Sequence, residues 1–140
     1  MGPRYKEYSL PANMYGDRYV AQLAILPHCD AVITHGGCNT LVEALAEAKP
    51  LLVMPIFADQ FDNAERIQEL GLGARLDPHR CTEHELITTI NQLLNDETLA
   101  CRLARASARI KTTDRRQELV ERIESLGYEH RETKRNQQTR

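Results

Sequence analysis

The chain has 140 residues, the length of a single domain able to bury a core of its own. With 41% hydrophobic and 27% charged residues and a formal net charge of −2, it has no bulk attraction for nucleic acid or an anionic membrane, so an anionic ligand must be held by local geometry. No apolar run approaches the ~18 residues of a membrane span and Met1-Gly2-Pro3-Arg4 is no secretory signal, so a soluble, cytoplasmic chain is expected.

In chain order, residues 1 to 18 are rich in Pro, Gly, Tyr and Asn and lack a sustained period, which predicts a covering loop with a short strand near Tyr8. Ala31-Val32-Ile33-Thr34 reads as a buried strand, Asn39 to Ala48 as a helix with Leu41, Leu45 and Ala48 on one face, and Leu51 to Met54 as a second buried strand. Lys49-Pro50 separates the last two, because proline disfavours helical backbone in the residue before it. Gln60 to Leu70 is a helix stopped by Gly71, and Gly73 to Leu76 a third strand. Thr82-Glu83-His84-Glu85 is a capping box, followed by Leu86, Ile87, Ile90, Leu93 and Leu94 at helical spacing. Asp96 caps the next helix, striped by Leu99, Leu103, Ala106 and Ile110, and a last helix is expected from Gln117 to Leu126. The polar stretch 127–140 is expected to be disordered. Cys29, Cys38, Cys81 and Cys101 form no C-x-x-C pair or zinc-like grouping and read as reduced core or helix-face thiols.

Strands alternating with helices predict an α/β fold, a Rossmann-like parallel sheet flanked by helices and joined by right-handed crossovers. Ligands of such sheets gather at the carboxyl ends of the strands. Thr34-His35-Gly36-Gly37-Cys38-Asn39-Thr40 lies at one such end. Two glycines permit positive φ and close backbone approach, and a helix N-terminus offers free N–H groups and a positive dipole end to phosphate oxygens. His35, Asn39 and Thr40 add side-chain donors. Alternatively, Gly36-Gly37 only turns the chain, Asn39 caps the helix and His35 is a satisfied strand-end histidine. Neither G-x-x-x-x-G-K-S/T nor G-x-G-x-x-G occurs, so ATP and nicotinamide cofactors are not indicated. At the second strand end, Asp59 and Gln60 set a carboxylate beside an amide, which suits the donors and acceptors of sugar hydroxyls; alternatively Asp59 is only the N-cap of the following helix. Glu43, one helical turn beyond Asn39, is within reach of ribose hydroxyls, or is a solvated surface carboxylate.

Together, Gln22, His28, His35-Gly36-Gly37-Cys38-Asn39-Thr40, Glu43-Ala44, Pro50, Pro55 and Asp59-Gln60-x-x-Asn63-Ala64 resemble the donor-binding signature of the UDP-glycosyltransferases, the two-Rossmann-domain GT-B type. That signature reads W-x-P-Q, then H-x-G-x-N-S-x-x-E, then P-x-x-x-D-Q, and the spacing from His35 through Glu43 to Gln60 matches it without a gap. The resemblance spans about Gly2 to Leu126 and implies a partial UDP-sugar donor-binding domain at 1–126, lacking its first strands, within the C-terminal half of the GT-B fold. It implies that Tyr19 stacks on uracil and that Val20 and Gln22 contact uracil and ribose. His35, Gly37, Asn39 and Thr40 would hold the diphosphate, Glu43 the ribose, and Asp59 and Gln60 the transferred sugar. Tyr19 and Ala21 stand where the signature has tryptophan and proline, and Cys38 where it commonly has tryptophan. The resemblance implies inverting transfer of a hexose to an acceptor hydroxyl with no metal and no cofactor beyond the UDP-sugar. The partner would be an acceptor-binding N-terminal domain, in this chain or another, that carries the catalytic base; no catalytic residue is assigned here, and this domain alone is expected to be inactive. Two alternatives are one subunit of a split N-acetylglucosaminyltransferase and an inactive nucleotide-sugar-binding module.

Overall fold

The computed structural model describes residues 4, 7–112 and 117–126. Its elements run α1 (Gln22–Ile25), a 3-10 turn (Leu26–His28), β1 (Val32–Thr34), α2 (Cys38–Ala46), β2 (Leu51–Val53), α3 (Gln60–Glu69), β3 (Gly73–Arg75), α4 (Glu83–Asn95) and α5 (Glu97–Thr112). Residues 117–126 are also helical. The chain divides after Ala108 into two units, and the sheet and the site described below lie in the first, Met1–Ala108.

The three strands form a parallel sheet in the order β1-β2-β3, so each strand–helix–strand step moves one place along the sheet. The predicted α/β architecture is the one observed. Leu51, Leu52 and Val53 of the central strand are wholly buried, as a parallel strand covered on both faces requires. Burying each such side chain stabilises the fold by about 1.5–3 kcal/mol. Leu41 and Ala44 of α2, Ala64 and Ile67 of α3, Leu93 of α4, and Leu99 and Leu103 of α5 complete the core around them.

Among the described residues β1 is an edge strand. Its ladder to β2 uses the Val32 N–H, which donates to the Pro50 carbonyl, and the Thr34 carbonyl, which accepts from Met54, so the Ile33 peptide groups lie on the opposite side. Thr34 is buried, whereas Ile33 is 54% exposed.

Several expectations are corrected. No strand occurs near Tyr8 among the described residues; Tyr8 is exposed and the segment has no ladder partner. The helix predicted from Asn39 starts at Cys38 and ends at Ala46, because Glu47 leaves helical geometry and Ala48 takes a φ of 53°. In α4 the apolar pattern is wider than the buried stripe: Leu86, Ile90 and Leu93 face the core while Ile87 and Leu94 are exposed. The four cysteines are free, as expected, and Cys38 and Cys101 lie exposed on α2 and α5; only the core alternative fails, since none is buried. The stretch 127–140 lies outside the described residues.

Candidate functional site

β1 and β2 end side by side, and the loops that follow them lead into the N-termini of α2 and α3. The first loop begins at Thr34, whose buried hydroxyl accepts a hydrogen bond from the Gly36 N–H at 3.2 Å. Gly36 has φ of +95°, and a Cβ there would come within 2.8 Å of Val53 Cγ1 and 3.3 Å of the Gln60 carbonyl oxygen. Glycine therefore serves twice at this position: it takes the left-handed conformation and lets the first loop lie against the start of α3. Gly37 was expected to share that conformation, but it is extended, with φ of −65° and ψ of 136°. Its requirement is space, since a Cβ there would meet His35 Nε2 at 2.8 Å. The imidazole thus lies over the backbone at the entrance to α2.

Gly37 is the N-cap of α2, and no side chain caps the helix. This corrects the reading of Asn39 as a cap; it is the second residue of the helix. The first-turn amides have no intrahelical acceptor, and the first backbone bond into the helix comes from Leu41 to the Gly37 carbonyl. Uncapped N–H groups and the positive end of the helix dipole form a locus for an anion.

The second loop is shaped by Gln60, which is 4% exposed. Its Oε1 accepts from the backbone N–H groups of Ile56 at 2.9 Å and Phe57 at 3.1 Å, while its amide nitrogen has no protein acceptor among the described residues. The loop passes through Ala58 at φ of 53°, a left-handed conformation unfavourable to a residue with a Cβ. Asp59 occupies the N-cap position of α3, but its side chain makes no capping bond, which corrects the reading of Asp59 as only a cap. Its Oδ2 instead accepts from Asn63 Nδ2 at 3.1 Å and from the Cys38 thiol at 3.7 Å.

A third group joins α1 to α2. Gln22 Nε2 donates to Glu43 Oε2 at 2.6 Å and to Thr40 Oγ1 at 3.3 Å, so three residues spread over 21 positions meet at one place. Tyr19 and Val20 precede this cluster, with Tyr19 82% exposed, and neither has a hydrogen bond to it among the described residues. A cavity of about 390 Å³ is lined by His35, Gly37, Cys38, Asn39, Thr40 and Asp59, within the size range of small-ligand sites. Two participants had no role in the sequence reading. Asn63 was signalled by its spacing of four from Asp59, which places both on one face of a helix, whereas the left-handed turn at Ala58 has no local sequence signal.

An open parallel sheet with its candidate site where two strands hand over to two helices is the arrangement of a ligand-binding α/β domain. The chain belongs to the family described as Erythromycin biosynthesis protein CIII-like, C-terminal domain, whose model matches residues 3–126; its relatives and structural neighbours are GT-B glycosyltransferases. It is 38% identical over 99 residues to the oleandomycin glycosyltransferase of Streptomyces antibioticus, covering 71% of this chain and 23% of that protein. Among solved structures, the glycosyltransferase of kitacinnamycin superposes with a TM-score of 0.79 at 31% identity, over 87% of this chain and 33% of the other. The glycosyltransferase VinC, solved in complex with DTDP, superposes with a TM-score of 0.67 at 25% identity, over 74% of this chain and 26% of the other. The chain thus spans about a quarter to a third of the length of these proteins. A C-terminal domain of a two-domain glycosyltransferase implies an N-terminal partner domain. Among the described residues no helix is long and apolar enough to cross a membrane.

Proposed function

We propose that this domain holds a UDP-sugar during inverting, metal-independent transfer of a hexose to an acceptor hydroxyl. The observation that carries this reading is the uncapped N-terminus of α2 beneath His35, opening into the cavity that Asp59 also lines. In this reading the diphosphate lies on the first-turn amides, with His35, Asn39 and Thr40 as side-chain donors and Gly37 leaving the backbone accessible. Glu43, oriented by Gln22, accepts from the ribose hydroxyls, and Tyr19 and Val20 meet the base. Asp59 accepts from the sugar, and the unpaired amide nitrogen of Gln60 donates to it.

Transfer then proceeds by attack of the acceptor oxygen on the sugar C1 as a base on the N-terminal domain removes its proton. The bond between C1 and the phosphate oxygen breaks on the opposite face, and UDP leaves with the electron pair. The helix N–H groups and His35 neutralise the charge that develops on the departing diphosphate; they occupy the role that a divalent cation fills in other transferases, so neither metal nor cofactor enters. This domain contributes donor binding and leaving-group stabilisation, and by itself turns over no substrate.

VinC, solved with DTDP, favours a second reading in which the donor is a thymidine diphosphate sugar. A ribose offers two hydroxyls to the Glu43–Gln22 pair and a deoxyribose one, which is the physical ground for placing UDP first. Titration calorimetry of the chain with UDP, dTDP and ADP tests both. Tighter binding of UDP than dTDP is expected; the reverse order selects the second reading, and binding of none of the three leaves an inactive module.

A further inference from the structure

Asn63 is the residue at which the two strand-end loops meet. Its Nδ2 lies 3.0 Å from the Gly36 carbonyl, 3.1 Å from Asp59 Oδ2 and 3.5 Å from Cys38 Sγ. An amide nitrogen has two hydrogens, which go to the two oxygens, one on each loop; the thiol of Cys38 in turn donates toward the same Asp59 oxygen. Asn63 is half-buried on the first turns of α3, behind the exposed Asp59.

Asp59 needs such a constraint. It follows the left-handed Ala58, and its carboxylate accepts no capping bond from a backbone N–H of α3, so no backbone group of its own loop fixes its rotamer. With Oδ2 engaged by Asn63 and Cys38, Oδ1 has no protein partner among the described residues. A carboxylate with one oxygen anchored and the other free presents a single directed acceptor. The second bond of Asn63, to Gly36, registers that acceptor against the turn that carries His35 and leads into α2.

We propose that Asn63 is a positioning residue for glycosyl transfer: it locks the Asp59 carboxylate to the diphosphate loop, so that the sugar and the diphosphate are held in one fixed relation. This rests on the reading above, in which Asp59 meets the sugar. Asn63 touches no substrate and acts through Asp59.

Two measurements on the full chain test it, with Asn63→Ala and with Asn63→Asp, which keeps the size of the side chain and exchanges the donor NH2 group for an acceptor oxygen. The first needs no ligand. By amide hydrogen exchange, the Gly36 N–H, which donates to Thr34 Oγ1, and the Ile56 and Phe57 N–H groups, which donate to Gln60 Oε1, are expected to exchange faster together in both variants, while α4 exchanges as in the unaltered protein. Unchanged protection at these amides overturns the tether, and faster exchange throughout α4 assigns Asn63 to global folding and overturns the proposal. The second compares dissociation constants for UDP and UDP-glucose by calorimetry. Asn63→Ala is expected to lower the preference for UDP-glucose over UDP about tenfold, the scale of one charge-assisted hydrogen bond. Asp59→Ala is expected to lower it equally, and the double variant no further. A normal preference in Asn63→Ala beside a lowered one in Asp59→Ala overturns the positioning role alone. Failure of the unaltered chain to bind either UDP or dTDP overturns the nucleotide reading and the positioning role with it.

Discussion

His35 draws its significance from its neighbours rather than from its own chemistry. It lies over a glycine that no other residue could replace without displacing the ring, and next to helix amides that no side chain satisfies. In the proposed complex it donates to a charged oxygen, so His35→Ala is expected to weaken UDP binding by about 1–3 kcal/mol, read by calorimetry; an unchanged dissociation constant removes His35 from the site. This residue was legible in the sequence, as were Thr40 and Glu43, because a histidine, two glycines and polar groups between an apolar run and an amphipathic one are visible without a structure. Gln60 was legible only by half. That it belongs to the site follows from its place beside Asp59, but that its carbonyl oxygen shapes the loop through Ile56 and Phe57 depends on a turn with no sequence signature. The part Asn63 plays leaves no mark in the sequence, since its partners Gly36 and Cys38 lie more than twenty positions away.

At the scale of elements, α2 and α3 end in the same way. After α2, Ala48 N–H donates to Leu45 and Lys49 N–H to Ala44; after α3, Gly71 N–H donates to Gln68 and Leu72 N–H to Ile67. Both are Schellman motifs, which place one residue in the left-handed region. Gly71 meets that demand at φ of 61°, whereas Ala48 meets it at 53° with a Cβ. Relieving that conformation outweighs the greater freedom of glycine in the unfolded chain, so Ala48→Gly is expected to stabilise the protein by about 0.5–1 kcal/mol in urea unfolding. The reverse change at the other helix, Gly71→Ala, would add the same strain and crowd Arg102, whose Nε donates to the Gly71 carbonyl at 2.6 Å. At α4 the capping box read from the sequence is present in full. The backbone N–H of Thr82, and then its hydroxyl, hold the Glu85 carboxyl below the usual carboxylate range. A carboxyl with a lowered pKa in the folded state binds its proton more readily when unfolded. Its contribution is therefore complete above the ordinary carboxylate range and is lost as pH falls through the lowered folded value. The thermal midpoint of the unaltered protein is expected to exceed that of Glu85→Ala at neutral pH, with the gap closing on acidification through that window; a gap independent of pH would assign the effect to packing. Helix starts were thus easier to read than helix ends, because a cap is chosen by side-chain chemistry, whereas Ala48 ends α2 in a conformation that its residue type disfavours.

For the molecule as a whole, the parallel order of the sheet followed from apolar runs alternating with amphipathic ones, and β2 is as buried as its run of Leu51, Leu52 and Val53 implied. The outer strand followed that rule only in part: Ile33 has the same composition signal as Leu52 and a quite different environment, since burial on an edge depends on what lies beside it and not on the residue. Among the described residues nothing pairs with the outer side of β1, and such a strand, with an apolar side chain in contact with water, invites another strand to align along it. Sedimentation is expected to show reversible self-association that grows with concentration, and Ile33→Lys is expected to abolish it by placing a charge that a neighbouring chain could not desolvate. Handling this domain apart from any partner thus becomes a matter of shielding one rim of the sheet, and a single lysine is the smallest shield available.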